Sequence, residues 1–274
     1  MKNSIQFTKM HGSGNDFILI DNRDRLIKHA DAPYKARKWC RRRFGIGADG
    51  FILIEKSQKA DFKWYFFNAD GSEAEMCGNG GRCAARFAFM KGICGEKLSF
   101  ETIAGIIRAE VKDKLVKLEM TKPSDLRLDI NFSTGLEELT IDYINTGVPH
   151  AVVLTEDLDH VPVFEWGRLI RYDDLFAPEG TNVDFVQIKD EHHILIRTYE
   201  RGVEDETLAC GTGAVASALI AGLKGLVKSP VKVTTWGNEE LTIYFDLQGQ
   251  EFREVFLEGG AIHVYTGVLD GDVG

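Results

Sequence analysis

Residues 77–92 read C-G-N-G-G-R-C-A-A-R-F-A-F-M-K-G, and residues 210–225 read C-G-T-G-A-V-A-S-A-L-I-A-G-L-K-G. Each stretch has a cysteine, a glycine-containing turn and an alanine-rich apolar run that ends in Lys-Gly. A run that is apolar nearly all round is typical of a buried helix, and a glycine after the last turn commonly ends one. The two stretches therefore predict two similar buried helices, each beginning just after a cysteine.

The similarity of the two stretches extends beyond the helices. An offset of 133 residues, which aligns Cys77 with Cys210, also aligns further identical pairs: Glu73 with Glu206, Gly78 with Gly211, Gly80 with Gly213, Ala85 with Ala218, Lys91 with Lys224 and Gly92 with Gly225. A repeat of this kind predicts a duplicated chain with two similar domains of roughly 130 residues. Lys122, Pro123 and Ser124 interrupt strand-like sequence, so we place the domain boundary near residues 121–126.

Short strands dominate the rest of the chain. Runs of β-branched and aromatic residues bounded by turn residues predict strands at Phe17–Ile20, Phe51–Ile54, Phe62–Phe67, Ile106–Val111, Val116–Met120, Ala151–Leu154, Ile194–Tyr199, Val231–Thr235, Leu241–Phe245 and Val255–Leu257. Helices are expected at Pro33–Phe44, Gly80–Lys91 and Gly213–Lys224. The expected fold is α/β (α+β), with two pseudo-symmetric domains whose strands wrap around a central helix.

Composition restricts the partners of the protein. The chain has 274 residues and a formal net charge of −9, which argues against a nucleic-acid partner. Residues 1–7 lack an apolar signal segment, and the longest apolar stretch, Ala214–Leu223, is about half the length that spans a bilayer. Five cysteines without paired spacing favour a reducing compartment. We therefore expect a cytoplasmic protein with no membrane partner.

The two cysteines at helix starts suggest a specific chemistry. Backbone N–H groups at a helix N-terminus lack partners and carry partial positive charge, which lowers the pKa of a cysteine there and attracts a carboxylate. Two such helix starts that face each other would flank a bound carboxylate with two thiols. One thiolate could remove a proton from the α-carbon while the other thiol returns a proton to the opposite face. This arrangement would invert an α-carbon without a cofactor.

Other roles for the cysteines are less well supported. Cys40, Cys83 and Cys94 are interpreted as buried and inert. A zinc site would need C-x2-C spacing or grouped histidines, so no metal is expected. A cysteine protease or acyl-transferase would use one cysteine with a histidine base such as His150 or His263, which leaves the second matched cysteine without a role. A thiol-redox pair usually has C-x-x-C spacing.

One glycine motif is misleading. Gly45, Gly47 and Gly50 satisfy G-x-G-x-x-G, but a dinucleotide-binding fingerprint must follow a strand and open a helix. Here a basic run precedes the motif and a strand follows it. We interpret it as a glycine turn, and no cofactor is expected.

Five blocks of the sequence resemble the diaminopimelate epimerase family. They span nearly the whole chain in family order: K-M-H-G-S-G-N-D-F from Lys9, F-N-A-D-G-S-E-A-E-M-C-G-N-G-G-R-C from Phe67, N-T-G-V-P-H from Asn145, G-T-N-V-D-F from Gly180 and Y-E-R-G-V-E-D-E-T-L-A-C-G-T-G from Tyr199. The resemblance implies interconversion of LL- and meso-diaminopimelate without pyridoxal phosphate or metal, in lysine and peptidoglycan-precursor synthesis.

The resemblance also implies an architecture. The active site would lie in the cleft between the domains, and the C-terminus would return to the first domain. The first domain would comprise residues 1–121 with 264–274, and the second domain residues 122–263. A homodimer is expected by the same resemblance.

Site residues follow from the matched positions. The resemblance makes Cys77 and Cys210 the proton-transfer pair. The helix-start groups on the reacting carboxylate would be Gly78, Asn79, Gly211 and Thr212. The other matched substrate-binding positions are Asn15, Asn68, Asn182, Glu200 and Arg201. A second zwitterionic end of the substrate suits Glu200 and Arg201, since an arginine can bind a carboxylate in bidentate fashion. His150 and Glu200 are candidates for support of the proton transfer.

Two positions depart from the family pattern. Val148 stands where many members have an asparagine, and Gly50 stands where some have a glutamine. Related possibilities stay open: a proline or hydroxyproline racemase would leave Glu200 and Arg201 unexplained, and a phenazine-type isomerase would not need the cysteine pair. A non-catalytic amino-acid-binding protein that kept the fold is a further alternative.

Overall fold

The computed structural model describes residues 4–269. Within that range the strands are β1 (Ile5–Gly12), β2 (Asn15–Asp21), β3 (Gly50–Glu55), β4 (Phe62–Asn68), β5 (Glu73–Ala74), β6 (Lys97–Thr102), β7 (Gly105–Lys112), β8 (Leu115–Glu119), β9 (Ser124–Ser133), β10 (Glu138–Asn145), β11 (Pro149–Leu154), β12 (Asn182–Asp190), β13 (His193–Glu200), β14 (Asp205–Thr207), β15 (Val231–Thr235), β16 (Glu240–Gln248), β17 (Glu251–Gly260) and β18 (Ile262–Leu269). The helices are α1 (Ala32–Trp39), α2 (Gly78–Met90), α3 (Val163–Arg171) and α4 (Gly211–Leu223).

The described residues divide into two compact units. Unit 1 contains residues 4–118 with 259–269, and unit 2 contains residues 119–258. The sequence predicted domain boundaries after residues 121 and 263. The boundaries between the two units lie a few residues earlier, after residues 118 and 258. Residues 270–274, which the sequence also assigned to the first domain, lie outside the described residues.

Unit 1 has a mixed sheet built around α2. Strand β2 pairs antiparallel with β1 and parallel with β3, and β3 pairs antiparallel with β4. Strand β4 pairs parallel with β6, which continues antiparallel into β7 and then β8. Strand β18 pairs antiparallel with β1, so chain from near the C-terminus completes this unit.

Unit 2 repeats the same connections around α4. Strand β11 pairs antiparallel with β10 and parallel with β12, and β12 pairs antiparallel with β13. Strand β13 pairs parallel with β15, which continues antiparallel into β16 and then β17. Strand β9 pairs antiparallel with β10 and takes the place that β18 has in unit 1. The predicted fold, two similar units with strands around one helix, is confirmed.

Helix α4 is buried because its sequence is apolar nearly all round, whereas α2 also buries the charged Arg82. Helix α4 is buried continuously over residues 213–222, and α2 buries most of residues 80–88. Phe17, Trp64 and Phe100 pack with α2 in one core, while Val186, Ile194 and Leu241 pack with α4 in the other. These two helices begin two residues before the predicted Gly80 and Gly213, because the first glycine after each cysteine is already helical.

Two helix predictions need correction. Helix α1 ends at Trp39 rather than at the predicted Phe44, and the chain turns at Arg43, whose φ is 71°. Helix α3 was not predicted. Its apolar residues at helical spacing, Val163, Gly167 and Ile170, are the buried ones, so the period was present in a segment of only nine residues. None of the helices within residues 4–269 is long and apolar enough to cross a membrane.

Candidate active site

Cys77 caps the N-terminus of α2 in unit 1. Its backbone is extended, with φ −148° and ψ 119°, and the Gly80 N–H donates to its Sγ at 3.4 Å. The Cys77 Sγ also donates to Asn15 Oδ1 at 3.7 Å. The side chain is partly buried. The structure thus brings Asn15 and Cys77 together, two residues that the sequence placed 62 positions apart.

A charged network holds Asn15 in place. The Asn15 Nδ2 donates to Asp49 Oδ2 at 2.9 Å, and Arg42 binds both Asp49 and Asp16. Lys9 lies 2.8 Å from Asp16. Burial alone would raise the pKa of Asp16, but the hydrogen bonds from Arg42 and Lys9 outweigh it and lower that pKa to about 2. No sequence motif marks this network, because its members are separated by turns.

Asn79 in the first turn of α2 is oriented from within unit 1. Its Oδ1 accepts from Arg82 Nη2 at 2.8 Å, and Arg82 also donates to Ser13 Oγ at 2.7 Å and to the Gly260 carbonyl at 3.2 Å. Arg82 is fully buried. The side chain of Asn79 is therefore held in one orientation at the start of α2.

Gly50 lies among aromatic side chains, whereas Asn68 lies in a polar turn. A Cβ at Gly50 would lie 2.5 Å from Phe66 and 3.0 Å from Phe17, and these two rings pack edge to face. The aromatic pair therefore fills the space that a glutamine side chain would need. Asn68, at the end of β4, donates to Ser72 Oγ at 3.0 Å.

Cys210 caps the N-terminus of α4 in unit 2. Its backbone is again extended, with φ −124° and ψ 111°, and its side chain is buried. The Sγ lies 3.5 Å from Thr212 Oγ1, and the Thr212 carbonyl accepts from Thr146 Oγ1 at 3.2 Å. Cys77 and Cys210 thus hold equivalent positions in the two units.

The sequence predicted a lowered pKa for Cys210, but its pKa in the structure is raised. Burial is the largest cause, and the charges of Asp184 and Glu200 add to it, so that the pKa of Cys210 rises to about 12. The hydrogen bonds from Thr212 and the Gly213 backbone lower that pKa by less. In the ligand-free protein the loss of hydration therefore outweighs the field of the helix N-terminus.

Of the three cysteines that the sequence predicted to be buried, Cys40 and Cys83 are buried, whereas Cys94 is only partly buried. All five cysteines are free. Burial raises the pKa of the Cys40 and Cys83 thiols to about 12, and that of Cys94 to about 11. Among residues 4–269, no group of three or more His, Cys, Asp or Glu side chains is placed to hold a metal ion.

A second polar cluster in unit 2 contains Asn182, Glu200 and Arg201. The Asn182 Oδ1 accepts from the Arg201 backbone N–H at 2.8 Å, and its Nδ2 donates to the Pro149 carbonyl at 2.8 Å. Arg201 Nη1 donates to the Glu179 carbonyl at 3.2 Å. Burial raises the pKa of Glu200, and the neighbouring Thr207 hydroxyl partly offsets this rise. Asn182 thus fixes the backbone at the point where the two charged side chains leave β13.

His150 lies beside a residue that the sequence analysis missed. Its Nδ1 is 2.7 Å from Asp184 Oδ2, and both side chains are fully buried. Asp184 falls inside the quoted block G-T-N-V-D-F, which was the available signal. Val148, the other departure from the family pattern, accepts the Thr146 N–H through its carbonyl at 3.1 Å.

Comparisons with known proteins agree on one family. A family model described as diaminopimelate epimerase matches residues 7–126 and 142–264. Diaminopimelate epimerase of Aquifex aeolicus is 49% identical over 98% of this chain and 99% of its own length. The protein of the same name from Archaeoglobus fulgidus is 44% identical over 97% of this chain and 96% of its own length.

Solved structures share the fold at low sequence identity. A phenazine biosynthesis protein of the PhzF family from Bacillus anthracis gives a TM-score of 0.71 at 16% identity and covers 97% of this chain and 99% of its own. A hydroxyproline epimerase from Agrobacterium vitis, solved with trans-4-hydroxy-L-proline, gives a TM-score of 0.66 at 17% identity and covers 98% of this chain and 94% of its own. At these identities the likeness concerns the fold alone.

Proposed function

The chain belongs to the diaminopimelate epimerase family, and from that premise we propose that it interconverts LL- and meso-2,6-diaminopimelate by proton transfer at one α-carbon. It is an isomerase of amino-acid biosynthesis that acts on a small molecule. The lysine and peptidoglycan-precursor pathways are the setting in which both stereoisomers are used.

The proton transfer is assigned to Cys77 and Cys210. The observation that carries this assignment is that each cysteine caps the one central helix of its unit, in two units with the same connections. One thiolate takes the α-proton, and the carbanion electrons delocalise into the adjacent carboxylate. The other thiol then gives its proton to the opposite face of the carbon. No cofactor enters this sequence of steps.

The helix starts stabilise the developing charge. We assign the reacting carboxylate to the first-turn groups of Gly78 and Asn79 in α2 and of Gly211 and Thr212 in α4. The N–H groups of these turns have no partner within their helices and are fixed before the substrate arrives. Fixed donors of this kind stabilise charge that develops in a transition state, commonly by about 3 kcal/mol for each donor.

The distal end of the substrate is assigned to polar groups of both units. Arg201 binds the distal carboxylate and Glu200 the distal ammonium, with Asn182 fixing their backbone as described above. Asn15, whose oxygen accepts from Cys77, and Asn68 complete the set from unit 1. These charged groups favour a substrate with two zwitterionic ends over proline or hydroxyproline, which has one.

Glu200 and His150 are assigned to support of the proton transfer, His150 through the Asp184 carboxylate that lies 2.7 Å from its Nδ1. Glu200 has a raised pKa and contributes to the raised pKa of Cys210, so its protonation is linked to that thiol.

A cytoplasmic location suits five free cysteines. We also propose a homodimer, and the exposed Val264, Tyr265 and Val268 on β18 offer an apolar strand surface for it.

The test is turnover of LL-diaminopimelate by reduced protein without added cofactor. We expect meso-diaminopimelate as the product, and a loss of epimerisation of at least about 100-fold in both Cys77→Ala and Cys210→Ala. Cys94→Ala, which changes a thiol outside the site, serves as the matched control and keeps full activity. Ligand binding without conversion, or turnover that survives either active-site substitution, would contradict the proposal.

A further inference from the structure

The two units have the same strand pairings but different side chains at equivalent positions. In unit 1 the parallel pairing aligns Phe17 of β2 with Gly50 of β3, and in unit 2 it aligns His150 of β11 with Asn182 of β12. Two residues further along, Ile52 of β3 and Asp184 of β12 are therefore equivalent. Their antiparallel partners on the next strand are Phe66 and Thr198.

In unit 1 these positions are apolar. Phe17 and Phe66 pack edge to face with ring centroids 5.9 Å apart, and Ile52 is fully buried. A Cβ at Gly80, in the first turn of α2, would meet Ile52, Phe17 and Trp64, each at 3.4 Å. The first turn of α2 therefore packs against apolar side chains.

In unit 2 the same positions form a hydrogen-bonded triad. His150 Nδ1 is 2.7 Å from Asp184 Oδ2, and Thr198 Oγ1 donates to Asp184 Oδ1 at 2.7 Å. All three side chains are buried. A carboxylate oxygen accepts hydrogen bonds, so His150 Nδ1 and the Thr198 hydroxyl are the donors to Asp184.

The carboxylate of this triad lies directly against the Cys210 helix. A Cβ at Gly213, the counterpart of Gly80, would lie 2.3 Å from Asp184 Oδ1. The negative charge therefore sits at the positive end of α4, in the turn that begins with Cys210, and opposes the field of that helix end. Unit 1 has no charge at the equivalent position, which is Ile52.

We propose that Asp184 is a positioning residue that keeps the proton on the Cys210 thiol in the ligand-free protein, while His150 and Thr198 hold its carboxylate in place. The two cysteines hold equivalent positions, but the strands that pack against their helices carry different side chains. The two thiols therefore differ in how readily they lose a proton. The proposal deepens the proposed function and rests on it for its catalytic meaning: a two-thiol inversion needs one thiolate and one thiol before substrate binds.

The groups around Cys210 agree with this direction. After burial, the charge of Asp184 is the next largest cause that raises the pKa of Cys210, followed by that of Glu200 at the end of β13. His150 on β11 faces Glu200 and Asp184 from the neighbouring strand. Asp142 on β10 is also a buried acid beside α4. It is paired with Lys224, which follows the last residue of α4, so it lies at the opposite end of the helix from Cys210.

The test measures the thiolate of Cys210 without substrate. Intact, reduced protein is alkylated with iodoacetamide at pH 8, and the rate at Cys210 is followed by peptide-resolved mass spectrometry. Removal of a negative charge near a thiol makes the thiolate easier to form and lowers the pKa of that thiol by about one pH unit or more. Cys210 should therefore be alkylated about tenfold faster in Asp184→Asn. Asp184→Ser removes the same charge with a different shape and should do likewise. Asp142→Asn, the matched buried acid at the other end of α4, should react at the wild-type rate.

Hydrogen exchange of the α4 amides separates charge from local opening. Unchanged exchange at the start of α4, together with the faster alkylation, supports the proposal. Wild-type alkylation rates in both Asp184 variants would overturn it, as would a rate increase matched by faster amide exchange. Failure of both variants to fold would also overturn it, because Asp184 would then be needed for the fold itself.

The catalytic readout is the pH profile of kcat/KM. In Asp184→Asn the alkaline limb, where the Cys210 proton is lost, should move to lower pH by about one pH unit. A merely structural defect would lower kcat/KM at every pH without moving that limb. If the protein does not turn over diaminopimelate, the alkylation result still decides the role of Asp184, so the two proposals can fail separately.

Discussion

At the scale of single residues, Asp16 shows how the Cys77 side of unit 1 is held together. It binds Lys9 and Arg42 and follows directly after Asn15, whose side chain accepts from Cys77. Its pKa lies at about 2 in the folded protein, below its value in an unfolded chain. Ionisation of this one carboxylate therefore stabilises the fold.

Asp16→Asn should lower the free energy of unfolding by about 1 kcal/mol at pH 7, because solvent screening at this partly exposed carboxylate reduces the full effect of the pKa shift. A depressed pKa stabilises the folded state fully above the unfolded value near pH 4, and this contribution is lost as the pH falls towards 2. The difference between variant and wild type should therefore disappear between those pH values. Urea unfolding at a series of pH values measures it, with the exposed Asp24→Asn as the control. A difference that persists unchanged at pH 2 would show that Asp16 acts through packing rather than charge.

The sequence identified single residues where a motif marks them, and missed those that only pairing brings together. Cys77 and Cys210 stand out because each precedes a glycine-containing helix start. Asp184 does not, because nothing in the order of residues shows that strand register places it under Gly213 and beside His150. The raised pKa of Cys210 was missed for the same reason, since the desolvation that raises it arises from packing around the helix.

At the scale of elements, the two central helices differ most in what their first turns contact. Gly213 faces a carboxylate oxygen and Gly80 faces three apolar side chains, although the sequence aligned these glycines as equivalent. The helix boundaries themselves were predicted to within two residues. The contacts were not, because they depend on strands far along the chain.

Gly213→Ala and Gly80→Ala should therefore have different effects on stability. A Cβ at Gly213 would overlap Asp184, so Gly213→Ala should cost about 1–3 kcal/mol. At Gly80 the new methyl group meets three side chains at 3.4 Å, the tight limit of van der Waals contact. This crowding offsets the preference of about 0.5–1 kcal/mol for alanine over glycine in a helix, so Gly80→Ala should be close to neutral. Urea unfolding midpoints compare the two directly. Equal losses at both positions would contradict the contrast between the two helix starts.

At the scale of the whole molecule, the repeat read from the sequence corresponds to two units with matching strand order. The duplication could be predicted because the two cysteine–glycine helices keep the same residues at a fixed offset. Within residues 4–269, eight strands were not predicted: β1, β5, β6, β9, β10, β12, β14 and β18. Strands β5 and β14 have only two and three residues, and β1 buries the polar Thr8 and Lys9 beside apolar residues, so none of these three shows the alternation that marks a strand in sequence.

Strand β18 should stabilise unit 1 selectively. It pairs with β1 over seven residue pairs, from Ile5 with Leu269 to His11 with Ile262. A chain that ends at Ala261 should therefore exchange the amide protons of β1 faster, while those of β11 and β12 in unit 2 keep their protection. Hydrogen exchange followed by mass spectrometry measures both regions in one sample. Equal loss of protection in the two units would contradict this division of the chain.

The most direct test of the two-thiol mechanism is the fate of the α-proton in deuterated water. LL-diaminopimelate is converted by reduced protein to a few per cent, and the deuterium at Cα is measured in product and in recovered substrate. If Cys77 and Cys210 act from opposite faces, the meso product carries deuterium at the inverted carbon while the recovered LL-substrate keeps its protium. Deuterium that appears equally in recovered substrate and product, or protium retained in the product, would contradict proton transfer by two separate thiols.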